Sequence, residues 1–180
     1  SGGKSAISFD GVNDYVTVAN SSSLTLTSFT IETWFNSQSW SMQSWIGIVS
    51  KRSTYGSMDW ELYYDRASSK ILMLIGENGG GILFSSLNVN PTINIWHHIA
   101  VTKIGTSYQL FLDGVSQGTD TSAVTWTESD QVVIGSLNIA DTYFSGLIDE
   151  VRLSNNARYT SNFTPSTTHI VQDDETHILL

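Results

Sequence analysis

Two aspartates near opposite ends of the chain are the side chains whose placement suggests chemistry. Asp149 lies within an apolar run, residues 143–154 (YFSGLIDEVRLS), which predicts a long strand. Regular alternation places it on one face with three aliphatic side chains, Leu147, Val151 and Leu153. A carboxylate on such a face is costly unless its charge is compensated. The compensation could come from a cation, from backbone amides or from Arg152.

An oxygen-rich turn near the start of the chain could supply the rest of a cation site. Residues 9–15 (FDGVNDY) contain Asp10, Asn13 and Asp14, and calcium prefers oxygen ligands of this kind. If Asp10 and Asp149 bind the same ion, the first strand and the long late strand must be neighbours in one sheet. The alternative is that backbone amides or Arg152 hold Asp149 without a metal.

Catalytic patterns are weak in this sequence. A retaining glycosidase needs two carboxylates about 5–5.5 Å apart, which two glutamates bracketing an aspartate on one strand face could supply. The nearest match is Asp59 with Glu61, which lacks the third carboxylate, and we expect it to be a solvated strand face. Glu32, beside Trp34, is expected to order a hydrogen bond and not to act in catalysis. The four histidines show no metal-ligand spacing. We therefore predict no catalytic residues.

Aromatic side chains in polar loops favour binding instead. Four of them lie among Ser, Thr, Gln and Gly residues: Trp40, Trp45, Tyr55 and Trp126. A ring in such a loop can stack on the apolar face of a sugar while neighbouring polar groups bind its hydroxyls. The alternative is that these rings cap the ends of a hydrophobic core.

The elements that must position these residues are all strands. Short apolar-alternating runs recur along the whole chain, separated by Gly, Asn and Asp turns, and none shows sustained helical periodicity. In residues 29–36 (FTIETWFN), alternation places Phe29, Ile31 and Phe35 on one face. A single helical turn is expected over residues 155–159. The pattern predicts an all-β, two-sheet antiparallel sandwich.

Composition narrows the class of protein further. Charged residues make up 14% of the chain, apolar residues 40%, and the net charge is −9. An acidic chain without a basic cluster argues against binding to nucleic acid or anionic membranes. No apolar run approaches the ~20 residues of a membrane span, so membrane insertion is not expected. Residues 1–4 are interpreted as a linker or cloning remnant, and residues 5–180 as one domain taken from a longer protein.

Four blocks, in order, carry a family resemblance: residues 7–16 (ISFDGVNDYV), 29–34 (FTIETW), 96–102 (WHHIAVT) with 110–114 (LFLDG), and 144–152 (FSGLIDEVR). Together they resemble the laminin G-like domains of the concanavalin A-like lectin/glucanase superfamily. The resemblance implies a jelly-roll sandwich of two curved sheets. It also implies a structural calcium between the N-terminal loop and the last long strand, here Asp10 and Asp149 with oxygens from Asn13 and Asp14.

The functional prediction combines the resemblance with the loop aromatics. We expect a non-catalytic, lectin-like module for carbohydrate binding or cell-surface attachment, located on an extracellular, cell-surface or virion-surface protein. Its partners would be a glycan or surface receptor and other domains of the parent chain. Two alternatives are a structural or protein–protein interaction domain without sugar affinity and a glycan hydrolase with displaced carboxylates.

Overall fold

The computed structural model describes residues 6–24, 26–54, 57–76, 82–85, 91–123 and 130–180. These ranges contain thirteen strands. They are β1 (Ile7–Asp10), β2 (Val16–Val18), β3 (Phe29–Ser37), β4 (Trp45–Thr54), β5 (Ser57–Asp65), β6 (Lys70–Ile75), β7 (Ile82–Ser85), β8 (His97–Ile104), β9 (Ser107–Leu112), β10 (Val115–Thr121), β11 (Val132–Ile134), β12 (Ser145–Ser154) and β13 (Thr176–Leu179). A single 3-10 turn, Ser22–Leu24, precedes β3.

The strands form two antiparallel sheets. The seven-stranded sheet has the order β1-β12-β3-β8-β9-β10, with β13 also pairing with β12. The six-stranded sheet has the order β2-β11-β4-β5-β6-β7. The predicted neighbourhood of the first strand and the long late strand is confirmed, because Ile7 lies opposite Ile148. The predicted two-sheet antiparallel sandwich is likewise confirmed.

The core lies between the sheets, and alternation along β3 shows how the sequence builds it. Phe29, Ile31 and Phe35 are buried in the core, as predicted. Trp60 and Leu62 of β5 meet them from the six-stranded sheet. Full burial of such a side chain contributes about 1.5–3 kcal/mol. The even-numbered residues of β3, among them Glu32 and Trp34, therefore lie on the outer face of the seven-stranded sheet.

A β-bulge interrupts β12 and corrects the predicted alternation. The pairing with β3 shifts between Asp149 and Arg152, and Glu150 adopts a positive φ of 54°. The extra residue exchanges the faces on which the following side chains of β12 lie, so Ile148 and Val151 both belong to the core. The prediction that Asp149 shares a face with Val151 is therefore wrong. Asp149 lies on the outer face, opposite Trp34.

The segment after β12 packs across this outer face. The rings of Tyr159 and Phe163 stack at 3.6 Å, and Phe163 also contacts Phe111 of β9. The helical turn predicted over residues 155–159 is wrong. The Thr30 hydroxyl donates to the carbonyl of Asn156 at 2.8 Å and accepts from the Arg158 amide at 2.8 Å, so side-chain bonds to β3 fix these residues in a non-helical path.

Within the described ranges, no helix has the length and apolar character needed to cross a membrane.

Candidate functional site

A cleft of about 460 Å³ opens beside the first residue of β4, and we call it the Trp45 cleft. The Trp45 indole is 41% exposed, and the Met42 side chain beside it is 49% exposed. The lining comes from the loop before β4, the β5–β6 turn and the loop before β12: Met42, Gln43, Ser44, Trp45, Arg66, Ile139, Ala140, Asp141 and Thr142. The predicted ligand residue Trp45 thus lies in a concave, partly polar surface.

The walls of the Trp45 cleft are fixed to the sheet by hydrogen bonds. The Arg66 amide donates to the Ser44 carbonyl at 3.0 Å, and its guanidinium donates to the Ser41 carbonyl at 2.9 Å. On the opposite wall the Gly47 amide of β4 donates to the Thr142 carbonyl at 2.9 Å. The indole is consequently presented by a preorganised frame, which lowers the entropic cost of binding.

The chemistry of the Trp45 cleft suits a polar ligand with an apolar face. The indole and the Met42 thioether offer apolar surface, whereas Arg66 and Asp141 are exposed polar groups on the rim. The Gln43 amide nitrogen donates to the Gly11 carbonyl at 3.0 Å. Its Oε1 is buried without a hydrogen-bond partner among the described residues. An exposed ring with donors and acceptors around it matches the requirements for stacking on a pyranose or furanose ring.

The other predicted ligand-binding aromatics do not join this cleft. Trp40 is 8% exposed, stacks on Tyr64 at 4.3 Å and donates from its indole nitrogen to the Pro91 carbonyl at 2.9 Å. Because these contacts bury the ring at the end of the core, we correct its assignment from ligand binding to packing. Tyr55 and Trp126 lie outside the described residues.

The strand register separates the two aspartates that were predicted to share calcium. Asp10 lies opposite Ser145, and Asp149 follows four residues further along β12. At about 3.3 Å per residue this separation is about 13 Å. Two oxygens bound to one calcium ion lie within about 5 Å of each other. Asp10 and Asp149 are therefore too far apart to bind the same ion.

The N-terminal aspartates instead close their own turn. Asp10 Oδ1 accepts from the Val12 amide at 2.7 Å and the Asn13 amide at 3.3 Å, while Asp14 Oδ2 accepts from the Asp10 amide at 3.0 Å. The Val12 N–H in particular holds the pKa of Asp10 below its ordinary value. No group of three or more acidic or histidine side chains suited to a metal occurs in the described parts of the chain. The predicted set, Asp10, Asn13, Asp14 and Asp149, does not fit one structural calcium ion.

A buried charged cluster on the outer face was not predicted from the sequence. Glu32 is 1% exposed and accepts hydrogen bonds from three side chains. Arg152 donates from Nε at 2.7 Å, the Tyr159 hydroxyl donates at 2.8 Å, and His98 Nε2 lies 3.1 Å away. Burial raises the pKa of Glu32, but the His98 hydrogen bond and the Arg152 charge outweigh it and leave the pKa below its ordinary value.

The Glu32 cluster borders a cavity of about 190 Å³ beneath the C-terminal segment. Both oxygens of Glu32 are already bound: Oε1 by Arg152, and Oε2 by His98 and Tyr159. A carboxylate held in this way is a poor general acid or nucleophile, because its charge is neutralised and its lone pairs are in use. In the sequence, the indication of this cluster was one charged residue inside each of two apolar strands, Glu32 in β3 and Arg152 in β12. Only the strand register shows that these two residues lie opposite each other.

The second pair of candidate carboxylates is also engaged. Asp59 forms an ion pair with Lys51, and Glu61 forms one with Arg52, and all four side chains are nearly buried. The expectation of a solvated strand face is therefore wrong. Each acid has a neighbouring base on the adjacent strand β4, which fits a structural role.

Comparisons with known proteins agree with this architecture. A putative carbohydrate-binding protein from Bacteroides ovatus superposes with a TM-score of 0.76 at 18% identity over 97% of this chain and 50% of that one. Domain 4 of AbnA, an extracellular arabinanase from Geobacillus stearothermophilus, was solved with arabinotriose and gives 0.56 at 14% identity, covering 84% and 71%. The NanB sialidase of Streptococcus pneumoniae gives 0.63 at 15%, covering 87% and 26%.

These likenesses concern the fold, since all three identities are low. The chain spans half the length of the Bacteroides protein and about a quarter of the sialidase. No curated protein matches the sequence. The family model for the concanavalin A-like lectin/glucanases superfamily matches residues 10–162, which is most of the chain. With its two antiparallel sheets, the chain belongs to the concanavalin A-like lectin/glucanases superfamily.

Proposed function

We propose that this domain is a non-catalytic carbohydrate-binding module that holds a glycan in the Trp45 cleft. The observation that carries the proposal is the exposed Trp45 indole in a preorganised cleft with polar groups on its rim. An aromatic ring in such a setting provides stacking surface, and the neighbouring side chains provide orientation. The fold likeness to the Geobacillus domain solved with arabinotriose supports a sugar as the ligand class.

The non-catalytic part of the proposal rests on the carboxylates. Glu32, Asp59 and Glu61 were the acids considered for hydrolysis, and each is ion-paired and nearly buried. Asp141, the exposed acid on the rim of the Trp45 cleft, would have to act without a second carboxylate among the described lining residues. The domain would therefore bind glycan for another part of a longer extracellular, cell-surface or virion protein.

A glycan array followed by calorimetry on the best ligand tests the proposal. Trp45→Ala should weaken binding at least tenfold, about 1.4 kcal/mol, because it removes the stacking surface. Trp96→Ala is the matched control, since Trp96 is also exposed (37%) but does not line the Trp45 cleft. Folded Trp45→Ala protein that retains full affinity would refute the site. If the array showed no glycan binding and a specific protein bound the domain, the alternative of a protein–protein interaction domain would be favoured.

A further inference from the structure

Another pocket, smaller than the Trp45 cleft, lies on the outer face of the seven-stranded sheet. Its volume is about 210 Å³, and its mainly apolar lining includes Trp34, Trp96, Asp149 and Thr167. It shares no described lining residue with the Trp45 cleft. Pockets for drug-sized ligands measure about 300–1,000 Å³, so this one suits a smaller molecule.

Four parts of the fold converge on this pocket. Trp34 of β3 lies opposite Asp149 of β12, and Trp96 directly precedes β8. Thr167 belongs to the C-terminal segment, which is tied down because the Trp34 indole nitrogen donates to the Ser166 carbonyl at 3.2 Å. The bulge in β12 follows Asp149 directly and leaves this residue on the outer face. The pocket is thus built from structured strands and a fixed segment.

The Asp149 carboxylate is an unusual group at such a place. Its residue is 8% exposed, and Oδ1 accepts from the Glu150 amide at 2.9 Å. Oδ2 is buried and has no hydrogen-bond partner in the described part of the chain. Arg152, the neighbouring cation considered from the sequence, is bound to Glu32 instead. A buried carboxylate oxygen without a partner is costly, and a positive charge nearby would offset that cost.

The hydrogen-bond acceptors and aromatic rings around Asp149 indicate which type of cation the pocket could bind. A bare metal ion requires several oxygen ligands, and the described residues offer no acidic or histidine cluster for one. A primary ammonium needs several acceptors for its three N–H groups. A quaternary ammonium needs none, because its methyl groups pack on aromatic rings while its charge interacts with their π faces and with a nearby anion. Asp149 Oδ2 is buried behind the pocket wall, but its negative charge can still attract such a cation electrostatically.

We propose that Trp34, Trp96 and Asp149 form a binding site for a small quaternary ammonium group of the choline type. The chain's net charge of −9 favours the approach of any cation to this surface. The site is independent of sugar binding in the Trp45 cleft, so either proposal can fail alone.

Choline and its uncharged isostere 3,3-dimethyl-1-butanol are the probes. Calorimetric titration should give saturable choline binding and at least tenfold weaker binding of the isostere. Asp149→Asn keeps an oxygen for the Glu150 amide but removes the charge, and Trp96→Ala removes an aromatic wall. Each should weaken choline binding at least tenfold, whereas Trp45→Ala should leave it unchanged.

Three results would overturn the proposal. They are no saturable choline binding by folded wild-type protein, equal binding of the two probes, or full choline affinity in folded Asp149→Asn or folded Trp96→Ala. If Asp149→Asn fails to fold, Trp96→Ala still decides, because its side chain is 37% exposed. Co-sedimentation with pure phosphatidylcholine vesicles, compared with phosphatidylglycerol vesicles, then distinguishes a lipid headgroup from a soluble cation as the ligand. Trp96-dependent co-sedimentation indicates a lipid headgroup, and binding of free choline alone indicates a soluble cation.

Discussion

Replacing the Glu32 carboxylate by an amide should strongly destabilise the fold. Glu32→Gln preserves the size of the side chain but removes the only negative charge that directly contacts Arg152 among the described residues. Arg152 is 9% exposed, so its guanidinium would remain largely buried without compensation. Removing one partner of a buried ion pair costs about 3–5 kcal/mol. For a chain of this length, 1 kcal/mol corresponds to about 2–4 °C, which gives a fall in Tm of about 6–20 °C.

Urea unfolding followed by tryptophan fluorescence measures this loss, with Asp174→Asn as the control because Asp174 is an exposed carboxylate. The double variant Glu32→Gln/Arg152→Gln removes both charges. It should therefore lose at least about 1 kcal/mol less than the sum of the two single variants. If Glu32→Gln resembled the Asp174 control, to within about 0.5 kcal/mol, the reasoning would be refuted.

The difference in stability between wild type and Glu32→Gln should change with pH in a defined direction. The pKa of Glu32 is depressed in the folded state, so its contribution is present above its ordinary pKa of 4.5 and is lost as pH falls through the folded-state value. The difference in unfolding free energy between wild type and Glu32→Gln should therefore shrink as the pH is lowered below about 4.5. A difference that grows in acid would contradict the assignment.

Three further predictions concern the pairing of His97 with Asp113, the turn at Gly114, and metal. His97 Nδ1 donates a hydrogen bond to the Asp113 carboxylate at 2.8 Å, and this bond raises the pKa of His97 above its ordinary 6.5. The wild type should therefore exceed Asp113→Asn in Tm most between about pH 4 and 6.5, where His97 is protonated and Asp113 is ionised, and this difference should decline as pH rises through the raised pKa of His97. Gly114→Ala should destabilise at least about 1 kcal/mol more than Gly105→Ala. Both glycines have positive φ, but a Cβ at Gly114 would lie 1.9 Å from the Phe163 carbonyl oxygen, whereas Gly105 faces open space; equal urea midpoints would contradict this. EDTA should leave Tm unchanged, because the predicted calcium ligands do not converge, and a fall of several degrees reversed by calcium would restore the ion.

The fold was largely predictable because strand alternation is a local property. Phe29, Ile31 and Phe35 share a face in any regular strand, so their burial followed from spacing alone. The bulge at Glu150 was not predictable in this way, because it depends on how β12 pairs with β3. One extra residue reversed the face of Val151 and changed the interpretation of Asp149.

The site was predictable only in part, since it depends on contacts between distant residues. Trp40 and Trp45 lie in similar polar sequence, yet Tyr64 covers one ring and leaves the other exposed. Which of two loop tryptophans reaches solvent is decided by packing between elements, and spacing carries no information about it. The Glu32–Arg152 pair likewise joins residues 120 positions apart.

Nuclear magnetic resonance of the indole N–H groups tests the central claim most directly. The chain has six tryptophans, and Trp45→Phe identifies the Trp45 signal among them. Titration with the best glycan from the array should shift that signal in a saturable way while the buried Trp40 signal stays in place. Glycan binding that leaves the Trp45 signal unmoved, or that persists unchanged in Trp45→Ala, would contradict the assignment of the sugar site to the Trp45 cleft.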